Sequence, residues 1–311
     1  FNIATALLSG LEPGKTYNYS IYTGKGPAIA QGEVRTQSLW QWRTKAPDFS
    51  FLAGSCHFTN ERVFDRPGKP YGGDSSIFET MAKEKADFML WLGDNWYTRE
   101  VDYYSAWGLM KRPATDRSLK VMQPLLKAMP QYAIWDDHDY GWNDADRSFP
   151  LKEASRDAFM KFWANPSYGM NGQGIYSKFT WNDVDVFLLD DRWWRANDNL
   201  PDSVDGRPNS DKTMFGKEQM DWLKNALLSS KSNRNISFRI IATGSQVLNP
   251  VSRFDVFKKF EPEYNDFMEF LKEAKIPGIV FLTGDRHHSE IIEVKQAGMY
   301  PLYDITSSPL T

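Results

Sequence analysis

Asp136, Asp137, His138 and Asp139 follow one another without a break, and Asn143 and Asp144 stand just beyond them. Three carboxylates around one imidazole raise one another's pKa, because like charges at close range disfavour the ionised forms. A cation is therefore expected to share the site. Hard cations take carboxylate and amide oxygens and borderline ones take imidazole, so a metal centre is the simplest occupant. The plain alternative is a solvated acidic turn. The preceding residues, Tyr132 to Trp135, are apolar enough to form a buried strand, which would deliver the cluster at a strand tip.

The same arrangement recurs along the chain. Strand candidate 49–53 runs into Gly54-Ser55-Cys56-His57, and 88–92 runs into Gly93-Asp94-Asn95-Trp96-Tyr97. Strand 184–190 ends in Asp190-Asp191-Arg192, 238–242 in Gly244-Ser245-Gln246, and 279–283 in Gly284-Asp285-Arg286-His287-His288. Open α/β sheets bind ligands in the crevice beyond the carboxyl ends of their strands. Six segments ending in ligand-type residues point to one such crevice. All four histidines of the chain, His57, His138, His287 and His288, fall in these tips.

A chain of 311 residues can bury a large core, as one big domain or a big one with a small one. A net charge of -3 and a pI near 5.9 provide no basic field for a nucleic acid partner. Aromatics reach 15% with 12 Trp, which fits an aromatic core first and an aromatic-lined cleft second. No apolar run reaches membrane-spanning length, and no signal peptide is present in this chain. Phe1 in place of an initiator Met carries the expectation of processing or trimming upstream. Cys56 stands alone, so the chain holds no internal disulfide. A lone Cys is usually a small buried hydrophobe, but the company of Gly54-Ser55 and His57 argues for chemistry.

The elements that must position these residues form two regions. Residues 3–8, 16–22 and 30–36 read as short strands separated by SGLEPGKT and TGKGP turns. With the alternation of Tyr17, Tyr19 and Ile21, they resemble the closing strands of a fibronectin- or immunoglobulin-like sandwich. Such a sandwich needs about seven strands, so residues 1–36 are read as its remnant. A linker over 37–47 carries Trp40 and Trp42, both expected to dock on the next domain. From residue 48 to 311 strands alternate with helices, the helices falling at 76–85, 102–111, 118–128, 151–163, 216–228 and 262–274. A hairpin occupies 175–190, and closing strands fall near 290–295 and 302–306. Residues 195–213 are polar and aperiodic and longer than most ordered loops, which predicts a lid or substrate loop near the strand tips. The fold class is α/β.

Taken in order, strand-Gly-Ser-Cys, strand-Gly-Asp-x-x-Tyr, Trp-Asp-Asp-His-Asp with a following Asn, Asp190-Asp191-Arg192 and Gly-Asp-Arg-His-His resemble the PhoD-like alkaline phosphatase family. That family is a branch of the calcineurin-like metallophosphoesterases, and the resemblance covers residues 48–306. It implies a four-layer α/β/β/α sandwich of two mixed sheets, an exported protein (secreted or periplasmic), and hydrolysis of small-molecule phosphomonoesters or phosphodiesters. It also implies Fe(3+) with Ca(2+), other divalent metals being alternatives. Carried over by position, the resemblance makes Cys56, Asp94, Tyr97, Asn143, Asp285 and His287 metal ligands, with Asp94 bridging. Asp137 is either a ligand or an orienter of His138. His138, Arg192 and His288 face substrate, Arg192 holding a phosphate oxygen. Asp139 stands where Glu is commoner, and Asp191 where Thr is frequent.

The chemistry suits such a set. A phosphoester repels hydroxide, so a catalyst must neutralise it and supply hydroxide near neutral pH, and metal ions do both. Thiolate, phenolate and carboxylate suit a trivalent ion, and oxygen ligands suit a calcium-like one. Two other readings stand beside this one. In the first, the same centre hydrolyses a non-phosphate ester. In the second, the chain is a non-catalytic binding protein with structural metals.

Overall fold

The computed structural model describes residues 2–251 and 254–311. Strands β1 (Thr16–Ile21) and β2 (Ala30–Arg35) pair antiparallel as an isolated hairpin. The third strand expected over 3–8 does not form. Leu7 and Leu8 are exposed there, and among the described residues no neighbouring strand takes up that stretch's backbone hydrogen bonds. The linker docks through Gln37, whose amide donates to Thr180 O and whose carbonyl accepts from Asn182 N. Trp40 is buried as expected, whereas Trp42 lies exposed on the surface.

The main body begins with β3 (Phe51–Gly54), α1 (Ile77–Met81) and β4 (Phe88–Leu92). It continues through α2 (Ala106–Arg117), α3 (Gln123–Ala128), β5 (Gln131–Ile134), α4 (Asp137–Tyr140) and α5 (Lys152–Phe162). Helix α2 starts later than its periodicity suggests because Ser105 caps it, its hydroxyl accepting from Gly108 N at 3.0 Å. Then come β6 (Ser177–Trp181), β7 (Val184–Leu188), the small hairpin β8 (Ser203–Val204) and β9 (Arg207–Pro208), and α6 (Gly216–Ser232). β10 (Phe238–Thr243), α7 (Glu261–Ala274), β11 (Ile279–Thr283), β12 (Glu290–Val294) and β13 (Leu302–Thr306) complete the chain.

Two sheets stack at the centre. The larger has the order β12-β13-β11-β10-β7-β6, parallel in the middle with an antiparallel strand at each edge. The smaller, β3-β4-β5, is parallel throughout. β4, Phe-Met-Leu-Trp-Leu, is buried along its whole length, as a parallel strand covered on both faces must be.

Successive residues of a strand point to opposite faces, and β7 shows what each face meets. Val186 and Leu188 join the core shared with β4 and β5, while Phe187 joins the core under Leu223 and Leu227 of α6 and Phe267 and Leu271 of α7. The layers are therefore helices, large sheet, small sheet, helices. Aromatic rings fill the space between the sheets: Tyr132 stacks on Phe179 at 3.8 Å, and Phe88 meets Phe179 and Trp181 at 5.5 and 5.2 Å. Much of the chain's aromatic richness is thus core.

Candidate metal centre

Three strand tips from the two sheets converge on one point. Cys56 follows β3, Asp94 follows β4 and His287 follows β11. A thiol sulfur, a carboxylate oxygen and an imidazole nitrogen of these three lie within 4.8 Å of one another. A second group, Asp94 with Asp137 and His138, meets the same limit, so the Asp94 carboxylate belongs to both. Its Oδ2 accepts from Tyr97 Oη at 3.0 Å and from Cys56 Sγ at 3.6 Å, and its Oδ1 accepts from His138 N at 3.3 Å. Tyr97 Oη also lies 3.1 Å from His287 Nε2, and the His138 ring lies over the Tyr97 ring at 4.2 Å.

The backbone at these tips is unusual. Cys56 (φ 60°), Asp94 (φ 50°), Asp285 (φ 62°) and His287 (φ 51°) are all left-handed without being glycine. Such a conformation costs about 1–3 kcal/mol per residue and persists where the surroundings over-determine it, commonly at functional sites. The tightly turned tips aim the side chains back across the strand ends.

The electrostatics call for a cation. Burial pushes the Cys56 thiol up to about 11. Burial, and then Asp137, hold Asp94 well above the usual carboxylate range. Burial, and then Asp94, raise the Tyr97 phenol well above its ordinary value. Asp285 is pushed up to about 7 by burial, with Asp255 and Asp137 adding to it. Left alone, these donors keep their protons; a highly charged ion would release them. A thiol, a phenol, an imidazole and a shared carboxylate match that need, and the donor set fits a metal pair.

Other predicted residues fall elsewhere. Asp285 stands outside both compact groups, its carboxylate 3.5 Å from Arg286. Asn143 lines the cleft in front of Tyr97 and His138, its amide donating to Asp144 at 2.7 Å. Asp137 Oδ2 lies 3.9 Å from His138 Nε2 and accepts from Asp144 N at 2.7 Å. That separation is too long for a hydrogen bond, which leaves Asp137 grouped with Asp94 instead of orienting His138. His288 does not border the cleft; its Nε2 lies 3.0 Å from Glu290 Oε1. His57 turns into the core against Phe78, where burial lowers it to about 4.

Arg192 departs from its expected phosphate contact. It is fully buried, with Nε donating to Asp136 Oδ1 at 2.6 Å and Nη2 donating to Asp255 Oδ2 at 2.5 Å. The fork is already filled by carboxylates and has no open face for substrate. Asp190 and Asp191 are likewise structural: Asp190 accepts from Trp135 Nε1 and the backbone of Ile175, Arg192 and Trp193, and Asp191 accepts from Ser245. Asp139 closes a capping box with Asp136 and holds Asn95 N at 3.0 Å.

The segment 195–213 is also not a lid over this cleft. Its hairpin is pinned by Lys212 to Asp202, and none of its residues lines the opening.

The opening is a cavity of about 610 Å³ reaching Tyr97, His138 and Asn143. One wall is residues 60–72, which periodicity passes over. Tyr71 Oη lies 3.2 Å from His287 Nδ1, on the far side of that ring from Tyr97. The turn-rich Arg66-Pro67-Gly68-Lys69-Pro70 is the local signal that could have marked this segment.

A family model described as PhoD-like phosphatase matches residues 110–310. Alkaline phosphatase D of Bacillus subtilis (strain 168) is 28% identical over 321 residues, covering 90% of this chain and 52% of its own length. The chain thus spans about half of that relative. A solved structure of PhoD superposes with a TM-score of 0.77 at 23% identity, over 97% of this chain and 63% of that one. A purple acid phosphatase, PPD1 from yellow lupin seeds, shares the fold at a TM-score of 0.57 and 12% identity, over 96% of this chain and 51% of that one.

Proposed function

Because the chain belongs to the PhoD-like phosphatase family, we propose that it hydrolyses phosphoesters at a two-metal centre built on Asp94. The observation carrying this reading is that one carboxylate is shared by the Cys56–His287 and Asp137–His138 groups. Cys56, Tyr97 and His287 would hold Fe(3+), and Asp94 would bridge it to Ca(2+) or another divalent ion held by Asp137, with Asn143 and Asp285 at its border. Bound there, the ions would polarise the phosphoryl oxygen and lower the pKa of water toward neutrality.

The chain's own residues position and neutralise. His138 is partly exposed, with 21% of its side chain reachable against 6% for Asp137, and it meets the cleft. Burial keeps its pKa below the ordinary value, so at neutral pH the ring is uncharged and can share one proton with a phosphoryl or leaving oxygen. Arg192 holds Asp136 and Asp255 beneath the site and acts as a positioning residue.

The open cavity beside Tyr97 and His138 favours catalysis over a structural site, since structural metal sites are closed. The family resemblance adds export, to a secreted or periplasmic location. Among the described residues no helix is long and apolar enough to cross a membrane. Activity on bis-p-nitrophenyl phosphate and p-nitrophenyl phosphate, abolished by chelator and restored by added metal, tests the reading. A protein that carries metal and turns over neither compound would overturn it.

A further inference from the structure

Residues 60–72 form a closed loop beside the metal centre. Its ends are pinned by Asn60, whose amide donates to Gly72 O at 2.7 Å and accepts from Gly72 N at 3.0 Å. Compact surface loops with joined ends are frequently functional. Two acids anchor this one inward: Glu61 to the buried Arg112 at 2.8 Å, and Asp65 to Arg99 at 2.9 Å. These anchors leave the loop's other charges unneutralised. Arg66 and Lys69 both line the cavity, as do Asp65, which is committed to Arg99, and Glu100, which lies 3.9 Å from Arg66 with both side chains largely exposed. An exposed pair of that kind contributes little, which leaves Arg66 and Lys69 open to an anion beside Glu100.

The floor between the metal centre and these cations is aromatic. Tyr97, itself a candidate donor, lies 5.0 Å from the Phe58 ring, and Phe58 lies 4.9 Å from Tyr71. Phe64 continues the wall and is exposed, with Lys111 over one ring face at 4.6 Å, as Arg99 lies over the Phe58 ring at 4.1 Å. At about 610 Å³ the cavity is in the range of about 300–1,000 Å³ that encloses a drug-sized ligand, far more than one phosphate fills.

We propose that this cleft receives the organic part of the phosphoester, and that this part bears a flat ring and a second anionic group, the ring lying on the Phe58–Phe64–Tyr71 wall and the anion meeting Arg66 and Lys69. The substrate class is thus a nucleotide-like ester carrying two phosphates, only one of which reaches the metals. This assignment rests on the phosphoesterase reading above. Guanidinium and ammonium groups suit an anionic oxygen, Arg by its fork and Lys as a point charge. The inward anchors mean the loop is already in shape before substrate arrives, which limits the ordering cost of binding.

The test compares three esters on the metal-loaded protein: adenosine 3′,5′-bisphosphate, adenosine 5′-monophosphate and glycerol phosphate. The expected order of kcat/KM is bisphosphate above monophosphate by tenfold or more, and monophosphate above glycerol phosphate. In Arg66→Ala/Lys69→Ala the first ratio should fall to about one, and in Phe64→Ala the second should shrink. Equal rates on the bisphosphate and the monophosphate, or an unchanged ratio in the double variant, would overturn the subsite while leaving the hydrolase reading intact. If no ester turns over, the hydrolase reading falls, and calorimetric binding still decides the subsite. The bisphosphate should bind at least tenfold tighter than adenosine, and that preference should vanish in the double variant.

Discussion

Replacing Arg192 with Met separates a buried structural cation from a substrate-binding one. The guanidinium, Asp136 and Asp255 are all buried, and its Nε and Nη2 donate to the two carboxylates at 2.6 and 2.5 Å. Methionine fills much of the volume but leaves Asp136 without its buried cation and Asp255 with Arg195 alone. Removing one partner of a buried ion pair costs about 3–5 kcal/mol. With an unfolding entropy of about 2.1 cal/mol/K per residue, a chain of this size shifts by about 1.5 °C per kcal/mol. Arg192→Met should therefore lower Tm by about 5–8 °C by calorimetry. Asp255→Asn should destabilise as well, and the two substitutions should couple by about 1–3 kcal/mol in a double-mutant cycle, because they break one contact. If the guanidinium instead held substrate phosphate, Tm would stay within about 1 °C while KM rose tenfold or more. That pairing of results would refute the structural role.

Three further outcomes check the site and its surroundings. Asp94→Ala should release both ions by elemental analysis, whereas His287→Ala should release only one; full retention in Asp94→Ala would remove it from the bridging position. If Cys56 and Tyr97 reach ferric iron, the purified protein should be coloured, with a visible band that shifts or fades in Tyr97→Phe; an active, colourless protein would exclude iron there. Glu263 is raised to about 7 by burial, against the opposing backbone bonds from Phe215 and Met214. A raised acid favours the folded state below its unfolded value of 4.5, and that contribution is lost as pH climbs through about 7. Glu263→Gln keeps an oxygen for those amides and removes the titration, so it should match the wild type at pH 4 and exceed it at pH 8 by about 3 kcal/mol. Parallel stability profiles for the two proteins across this range would contradict it.

The parts of this protein visible in its sequence are those governed by local rules. Phe88–Leu92 announces a doubly covered strand by being apolar at every position, and Gly93-Asp94 after it announces a tip. Which polar tips turn inward is a different matter. Asp94 and Asp190 both follow buried strands, yet Asp94 enters the metal groups while Asp190 is spent on Trp135 and three backbone amides. The difference lies in what the other sheet brings opposite each tip, and no spacing records that. Arg192 illustrates the same point: its partner Asp255 comes from a distant loop. Residues 60–72 lacked any period to find. Their order comes from Arg99 and Arg112 on other segments, so the loop's shape is a tertiary property.

The division of the donors between two sheets has a consequence for how the centre is filled. A chain made from its N-terminus holds β3, β4 and β5, with the tips bearing Cys56, Asp94 and the Asp137–His138 pair, by residue 138. His287 arrives only after β11, when β6, β7, β10 and β11 of the larger sheet have been made. Asp285 and His287 thus both wait for β11, while Cys56, Asp94, Tyr97, Asp137 and His138 are already present. The Cys56 position therefore depends on the two sheets meeting, and a fragment that ends before β11 should lack it.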